Sequence, residues 1–178
     1  VPTVEQLGAS WRPGCPVRPS QLRVLSIGFV GFDGQDHRGE LVVAASVAPA
    51  VARAFDQLRQ DRFVIASMQP VATFGGDDDA SMAADNTSGF NCRPVAGTRR
   101  WSSHAYGTAI DINPIENPYV QPRRIDPPAG SAFLNRADVR PGMLVDGGPG
   151  VRAFEAIGWG WGGRWSQPDH QHVSASGR

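Results

Sequence analysis

Ser102-Ser103-His104-Ala105-Tyr106-Gly107-Thr108-Ala109-Ile110-Asp111 is the segment around which the chain is organised. In one extended strand His104 and Asp111 would stand about 23 Å apart on opposite faces. A bend at Gly107 brings imidazole and carboxylate together, because glycine admits backbone angles closed to other residues. Ile110 and Ile112 then hold Asp111 on a core strand with its carboxylate turned inward. Such a group is expensive unless it meets a cation, and a metal ion would supply one.

The partner stretch runs from Trp159-Gly160-Trp161-Gly162-Gly163-Arg164-Trp165 into Asp169-His170-Gln171-His172. His170 and His172 alternate in the sense of one strand face. Either would complete a His, Asp, His set with a fourth position left for water, the arrangement of a catalytic zinc site. Asp169 is the candidate base beside it. Spacing alone leaves two accounts standing, a zinc site and a solvated His-Gln-His near the C-terminus.

Composition narrows the partners. At 178 residues one domain is expected, large enough to bury a core without metal or disulfide support. Basic and acidic residues balance at 17 each, so net charge favours neither nucleic acid nor an anionic membrane. A small or neutral substrate and a monomeric chain are expected. No run approaches the roughly 20 apolar residues of a membrane span, and Val1-Pro2-Thr3 does not read as the start of a signal peptide. Cys15 and Cys92 belong to no CxxC pattern. A disulfide between them would tie an N-terminal arm to the body and imply an oxidising, extracytoplasmic compartment; the alternative is two free thiols.

Along the chain, residues 1–20 are punctuated by Pro2, Pro13, Pro16 and Pro19 and read as an extended arm, with residues 21–178 forming the domain. Leu22–Phe32 and Leu41–Val47 predict a hairpin with a long loop carrying His37 as a polar loop residue. Val51, Ala54, Phe55 and Leu58 predict an amphipathic helix over 49–61. Phe63–Ala66 is expected to be a core strand. Asp77-Asp78-Asp79 lacks calcium-loop spacing and reads as a capped, dipole-stabilised start to the helix 80–84. Asn86-Thr87-Ser88 is turn chemistry that also forms a glycosylation sequon, and Asn113–Pro128 is a proline-rich loop beside the site. Gly150–Ile157 is helical and Trp159–Val173 strand-like.

Ser103-x-x-x-Gly107-x-Ala109-x-Asp111 around His104, followed by Trp165 and Asp169-x-x-His172, resembles the zinc-dependent D-alanyl-D-alanine metallopeptidases. That family includes D,D-carboxypeptidases, D,D-dipeptidases and peptidase-type phage endolysins. Gly31-Phe32-Asp33-Gly34, Gly39-Glu40-Leu41-Val42-Val43 and Asp85-Asn86-Thr87-Ser88 resemble a secreted bacterial branch. The resemblance implies an α+β fold with a central, mainly antiparallel sheet flanked by helices, shared with the Hedgehog signalling domain. It implies one zinc ion held by His104, Asp111 and His172, with His172 preferred to His170, and Asp169 as general base and then general acid.

The implied activity is hydrolysis of peptidoglycan stem peptides by a secreted D,D-carboxypeptidase, or by an endopeptidase of the same family. Members often carry a Gly-Tyr-Arg run after a core strand, whose arginine faces the oxyanion. Here Ala66-Ser67-Met68-Gln69-Pro70 stands in that place, and Arg93 is the candidate replacement. Ser103, Tyr106 and Trp165 are candidate substrate contacts. The rival reading is a zinc-stabilised binding module for cell-wall peptides or a protein partner, and Asp169 favours the enzyme, since a purely structural zinc needs no base.

Overall fold

The computed structural model describes residues 1–177; Arg178, the last residue of the expected domain, lies outside the described residues. The chain opens with one helical turn, α1 (Val4–Leu7), capped reciprocally: Thr3 Oγ1 accepts from the Gln6 amide, and Gln6 Oε1 from the Thr3 amide. This capping box satisfies two otherwise orphaned donors. Residues 1–20 are therefore not extended throughout as their prolines suggest, and 3-10 turns follow at Gly8–Ser10 and Pro19–Gln21.

The segment is fastened by a Cys15–Cys92 disulfide, by the Cys92 amide donating to Ser10 O at 2.9 Å, and by Arg12 donating to Cys92 O at 3.0 Å. The bridge spans 77 residues of sequence, a closure worth about 4 kcal/mol in the chain-entropy model. A Cys15→Ser, Cys92→Ser protein is expected to unfold at a markedly lower urea midpoint. An unchanged midpoint would mean that the packing of Leu7 and Trp11 holds the segment by itself.

β1 (Leu22–Val30) and β2 (Asp36–Ala44) form an antiparallel hairpin in register from Leu22↔Ala44 to Val30↔Asp36. The turn is only Gly31–Gln35, and His37 sits within β2 opposite Phe29, not in a loop. Ladder pairing needs backbone groups alone, so the polar run Asp36–Gly39 extends the strand past its apolar half. His37 Nε2 lies 2.9 Å from Asp33 Oδ1 at the exposed tip. α2 (Ala48–Gln60) buries Val51, Ala54, Phe55 and Leu58, the predicted stripe, against β1.

Phe63–Ala66 is not a full strand: it makes one parallel bridge to β1, Val64 to Val30, with the Ile65 amide donating to Val30 O at 2.8 Å. On its other edge the ladder partner is replaced by the Asn113 side chain, whose Oδ1 accepts from the Ala66 amide at 3.0 Å and whose Nδ2 donates to Val64 O at 2.8 Å. Pairing resumes one residue later, where β3 (Ser67–Met68) lies parallel to the strand that follows α3 (Asp78–Ala83), namely β4 (Asn86–Thr87). Asn86 of the sequon is 1% exposed and bonds Gln69 and Ser81 through its side chain. It is a structural buckle between these strands.

Next come β5 (Ala109–Asp111), the hairpin β6 (Tyr119–Gln121) and β7 (Arg124–Asp126), α4 (Pro149–Glu155), β8 (Gly160–Trp161) and β9 (His172–Ser174). Strand structure between Trp159 and Val173 is confined to its two ends, with a 3-10 turn at Gly162–Arg164 between them. The fold is mixed α/β with small sheets, mostly antiparallel, and a few helices. The expected single central sheet is absent among the described residues, its nearest counterpart being the three-stranded β5-β9-β8. Under that sheet Phe55 and Phe154 meet edge to face at 5.7 Å beside Ile110, Ile112 and Val173.

The loop from Asn113 is ordered by its own asparagines: Asn117 Nδ2 donates to Ile112 O and Gly142 O, and its Oδ1 accepts from the Leu144 amide. Beside it the Glu116 carboxyl is buried against Asp85, and its Oε2 has no hydrogen-bond partner. Burial first, then the hydrogen bond and charge of Asp85, push Glu116 up to about 8, and burial raises Asp85 as well. A raised carboxyl pKa means that the protonated form is the one stabilised by folding. That contribution is complete below the unfolded pKa and is lost as pH climbs towards and past 8. Glu116→Gln, which cannot ionise, is expected to melt progressively higher than wild type as pH rises from 5 to 9; parallel curves would exclude this account.

Candidate metal centre and its cleft

The site is assembled by sheet register and one glycine. Asp111 ends β5 directly opposite His172 of β9, so their side chains share a face. On the other side Asp111 pairs with Ser88, exchanging backbone hydrogen bonds of 2.9 and 3.0 Å. His104 comes from a 3-10 turn, Ser103–Tyr106, whose N-cap is the Ser102 hydroxyl and whose end is Gly107 at φ +68. A Cβ at Gly107 would also lie 2.6 Å from the Ala44 amide nitrogen. Glycine is required there twice over, by the left-handed angle and by the close approach of β2.

His104 Nε2 lies 3.1 Å from Asp111 Oδ2 and 3.2 Å from His172 Nδ1, and His172 Nδ1 lies 3.2 Å from Asp111 Oδ1. All three residues are buried. His104 Nδ1 donates to Gly89 O at 2.7 Å. A carbonyl can only accept, so this contact fixes the tautomer and leaves the Nε2 lone pair facing the other two groups. Burial opposes charge on both members, yet mutual attraction prevails: the His104 pKa is raised by Asp111, and Asp111 is held far below the usual carboxylate range by His104 and His172.

Two imidazole nitrogens and a carboxylate oxygen, all within 4.8 Å of one another, suit a tetrahedral zinc ion. Such an ion, with bonds near 2.0–2.1 Å, holds its ligand atoms about 3.4 Å apart. His170 faces elsewhere. Its ring packs 5.8 Å from that of Trp161, and burial lowers its pKa to about 4.

Asp169 stands beside this group. Its amide donates to Gly162 O at 3.1 Å, and its own carbonyl accepts from the His172 amide at 3.3 Å. A Cβ on Gly162 would come within 2.7 Å of Asp169 O, so the residue seats only because position 162 is glycine. Asp169 Oδ1 is enclosed without a hydrogen-bond partner. Burial, reinforced by the Asp111 charge, pushes its carboxyl up to about 7.

A cleft of about 680 Å³ opens over these four residues. Ser103, Tyr106 and Trp165 all line it. Ser103 Oγ is 3.4 Å from His172 Nε2, and the Trp165 ring centroid is 5.2 Å from that of His172. Trp159 and Trp161 are core residues instead.

Arg93 also lines the cleft, with Nη2 2.7 Å from Asp78 Oδ2 and Nε enclosed without a partner. The three successive aspartates therefore divide their work. Asp77 caps α3, accepting from the Ala80 amide at 3.1 Å; Asp78 holds Arg93; Asp79 meets Arg124 at 3.3 Å. Capping was legible in the sequence, whereas the two arginine contacts were not, since their partners are distant along the chain. The stretch Asn113–Pro128 does lie beside the site as expected, but as more than a loop: it forms the β6–β7 hairpin, whose Tyr119, Gln121, Arg124 and Asp126 line the cleft. The proline-rich composition around it was the available signal.

Residues 96–175 match the family model of D-alanyl-D-alanine carboxypeptidase. The matched segment contains His104, Asp111, Asp169 and His172, and with them the whole candidate metal group. Arg93 and Asp78 fall outside the matched stretch. No curated protein and no solved structure matches the chain.

Proposed function

We propose that the protein is a secreted zinc peptidase acting on peptidoglycan stem peptides, as a D-alanyl-D-alanine carboxypeptidase. The observation that carries this reading is an enclosed, unpartnered carboxyl, Asp169, beside a three-residue His, Asp, His group in one open cleft. A purely structural metal site gains nothing from such a neighbour, and a carboxyl with a pKa near neutrality is suited to both take and return a proton. The carboxypeptidase match over 96–175 supports the substrate class, and the disulfide supports an oxidising compartment. No helix among the described residues is long and apolar enough to cross a membrane.

In this reading His104, Asp111 and His172 hold one zinc ion, which when bound supplies Lewis-acid activation of water and of the peptide carbonyl. The remaining work belongs to the chain. Asp169 Oδ1 accepts the proton of the attacking water and passes it to the departing amine. Arg93, fixed by Asp78, presents positive charge toward the developing oxyanion. Ser103 and Tyr106 meet the substrate backbone, and the Trp165 face walls the cleft and excludes water.

Mass spectrometry of purified muropeptides incubated with zinc-loaded protein, with Asp169→Ala as control, tests the assignment. Loss of a single alanine is the expected result. Shorter stems or split cross-links would make the protein an endopeptidase, and unchanged muropeptides would overturn the peptidase reading. Arg93→Ala is expected to lower turnover by about 10²–10³-fold with zinc content unchanged; near-wild-type turnover would remove Arg93 from the mechanism.

A further inference from the structure

Three arginines line the cleft: Arg93, Arg100 and Arg124. Two are already committed to carboxylates of the chain itself. Arg93 is bound by Asp78 at 2.7 Å, and Arg124 by Asp126 and Asp79 at 2.5 and 3.3 Å. Arg100 has no ion-pair or side-chain hydrogen-bond partner among the described residues, although its backbone is held on both sides. Its amide donates to Thr98 Oγ1 at 3.2 Å, and its carbonyl accepts from the Val95 amide at 2.8 Å.

Those bonds belong to an arm over residues 93–102 that folds back on itself through a Pro94↔Trp101 bridge and a Ser102 amide bond to Arg93 O at 3.1 Å. The arm springs directly from the disulfide at Cys92, and the Arg12 guanidinium lies 5.8 Å over the Trp101 ring. The origin of the Arg100 side chain is thus fixed before any ligand arrives, which reduces the ordering cost of using it. An uncommitted guanidinium at the cleft, with five donors in a planar fork, matches a carboxylate.

We propose that Arg100 is a specificity-determining residue that binds a carboxylate of the peptide substrate. This rests on the peptidase reading above and extends it to an arginine that the reading leaves unused. The carboxylate has two possible sources, the C-terminus of the peptide and an acidic side chain within it, and the chemistry of recognition is the same.

The test uses three acetylated peptides: glutamate followed by two D-alanines, its C-terminal amide, and the counterpart with glutamine for glutamate. Binding is measured by calorimetry on the metal-free full chain, and kcat/KM on the zinc-loaded protein, for wild type, Arg100→Gln and Arg99→Gln. Arg99 is an exposed neighbour that does not line the cleft and serves as the charge-matched control. Arg100→Gln is expected to weaken binding of the doubly acidic peptide about tenfold, with Arg99→Gln close to wild type. The peptide on which Arg100→Gln has no effect identifies the carboxylate: the C-terminus if it is the C-terminal amide, the acidic side chain if it is the glutamine counterpart. Equal losses on all three peptides, no loss on any, an equal loss with Arg99→Gln, or no binding at all would each overturn the proposal. Arg100-dependent binding without hydrolysis would leave it standing and sink the peptidase reading instead.

Discussion

Asp169→Ala is expected to lower peptide hydrolysis by about 10²–10⁴-fold, the range for loss of a positioned general acid-base, while leaving one zinc per chain. The residue lies outside the His104, Asp111 and His172 group, so metal content is the control that separates a catalytic defect from a binding one. The fold should tolerate the change. Oδ1 has no hydrogen-bond partner to lose, and the backbone bonds to Gly162 O and from the His172 amide do not depend on the side chain. Turnover within a fewfold of wild type, at full zinc occupancy, would assign the base to another residue.

Asp111→Ala should have the largest effect on the metal. It removes the sole carboxylate from the buried group and leaves two imidazoles whose mutual arrangement it organises. Zinc content by elemental analysis is expected to fall to near zero, and hydrolysis with it. Stability should fall too, because breaking a buried charged pair by deleting one partner costs about 3–5 kcal/mol. Here the deleted partner is what raises the His104 pKa, so the variant also strands that imidazole in a dry site. A variant that kept one zinc per chain would show that the carboxylate is not a ligand.

The two outcomes differ because of where each carboxylate sits. Asp111 is held between two strands, paired with Ser88 on one side and His172 on the other, and is neutralised by its neighbours. Asp169 sits in the irregular segment that leads into β9, in an isolated bridge with Tyr119, close to the same charges but bonded to none through Oδ1. One residue type thus acquires opposite pKa shifts a short distance apart, Asp111 down and Asp169 up to about 7. Divergent shifts in neighbouring carboxyls are the pattern expected where one binds a cation and the other carries a proton.

The elements with a strong local cause could be read from the chain itself. The stripe Val51, Ala54, Phe55 and Leu58 specified α2, Asp77 marked the start of α3, and the bend between His104 and Asp111 needed Gly107, which adopts φ +68. Elsewhere a distant side chain overrode local preference. Phe63–Ala66 has the composition of a strand, yet it bridges β1 at Val64 alone, and on its other edge Asn113 takes the backbone bonds a neighbouring strand would have used. The turn before β2 is shorter than its polar composition suggests, because polar residues pair through their backbone as readily as apolar ones.

By itself the sequence determined which residue types could make the site and that a glycine had to fold His104 back toward Asp111, since those depend on covalent chemistry and local backbone freedom. That Asp111 lies opposite His172, and not His170, follows from long-range packing. Sheet register is set by packing between strands more than sixty residues apart: a slip of one residue would set Gln171 or Val173 opposite Asp111, and only a slip of two would set His170 there. The cleft arginines were decided in the same way. Asp78 and Asp79 hold Arg93 and Arg124 across the fold, and that pairing, invisible along the chain, distinguishes them from Arg100, which has no such partner among the described residues.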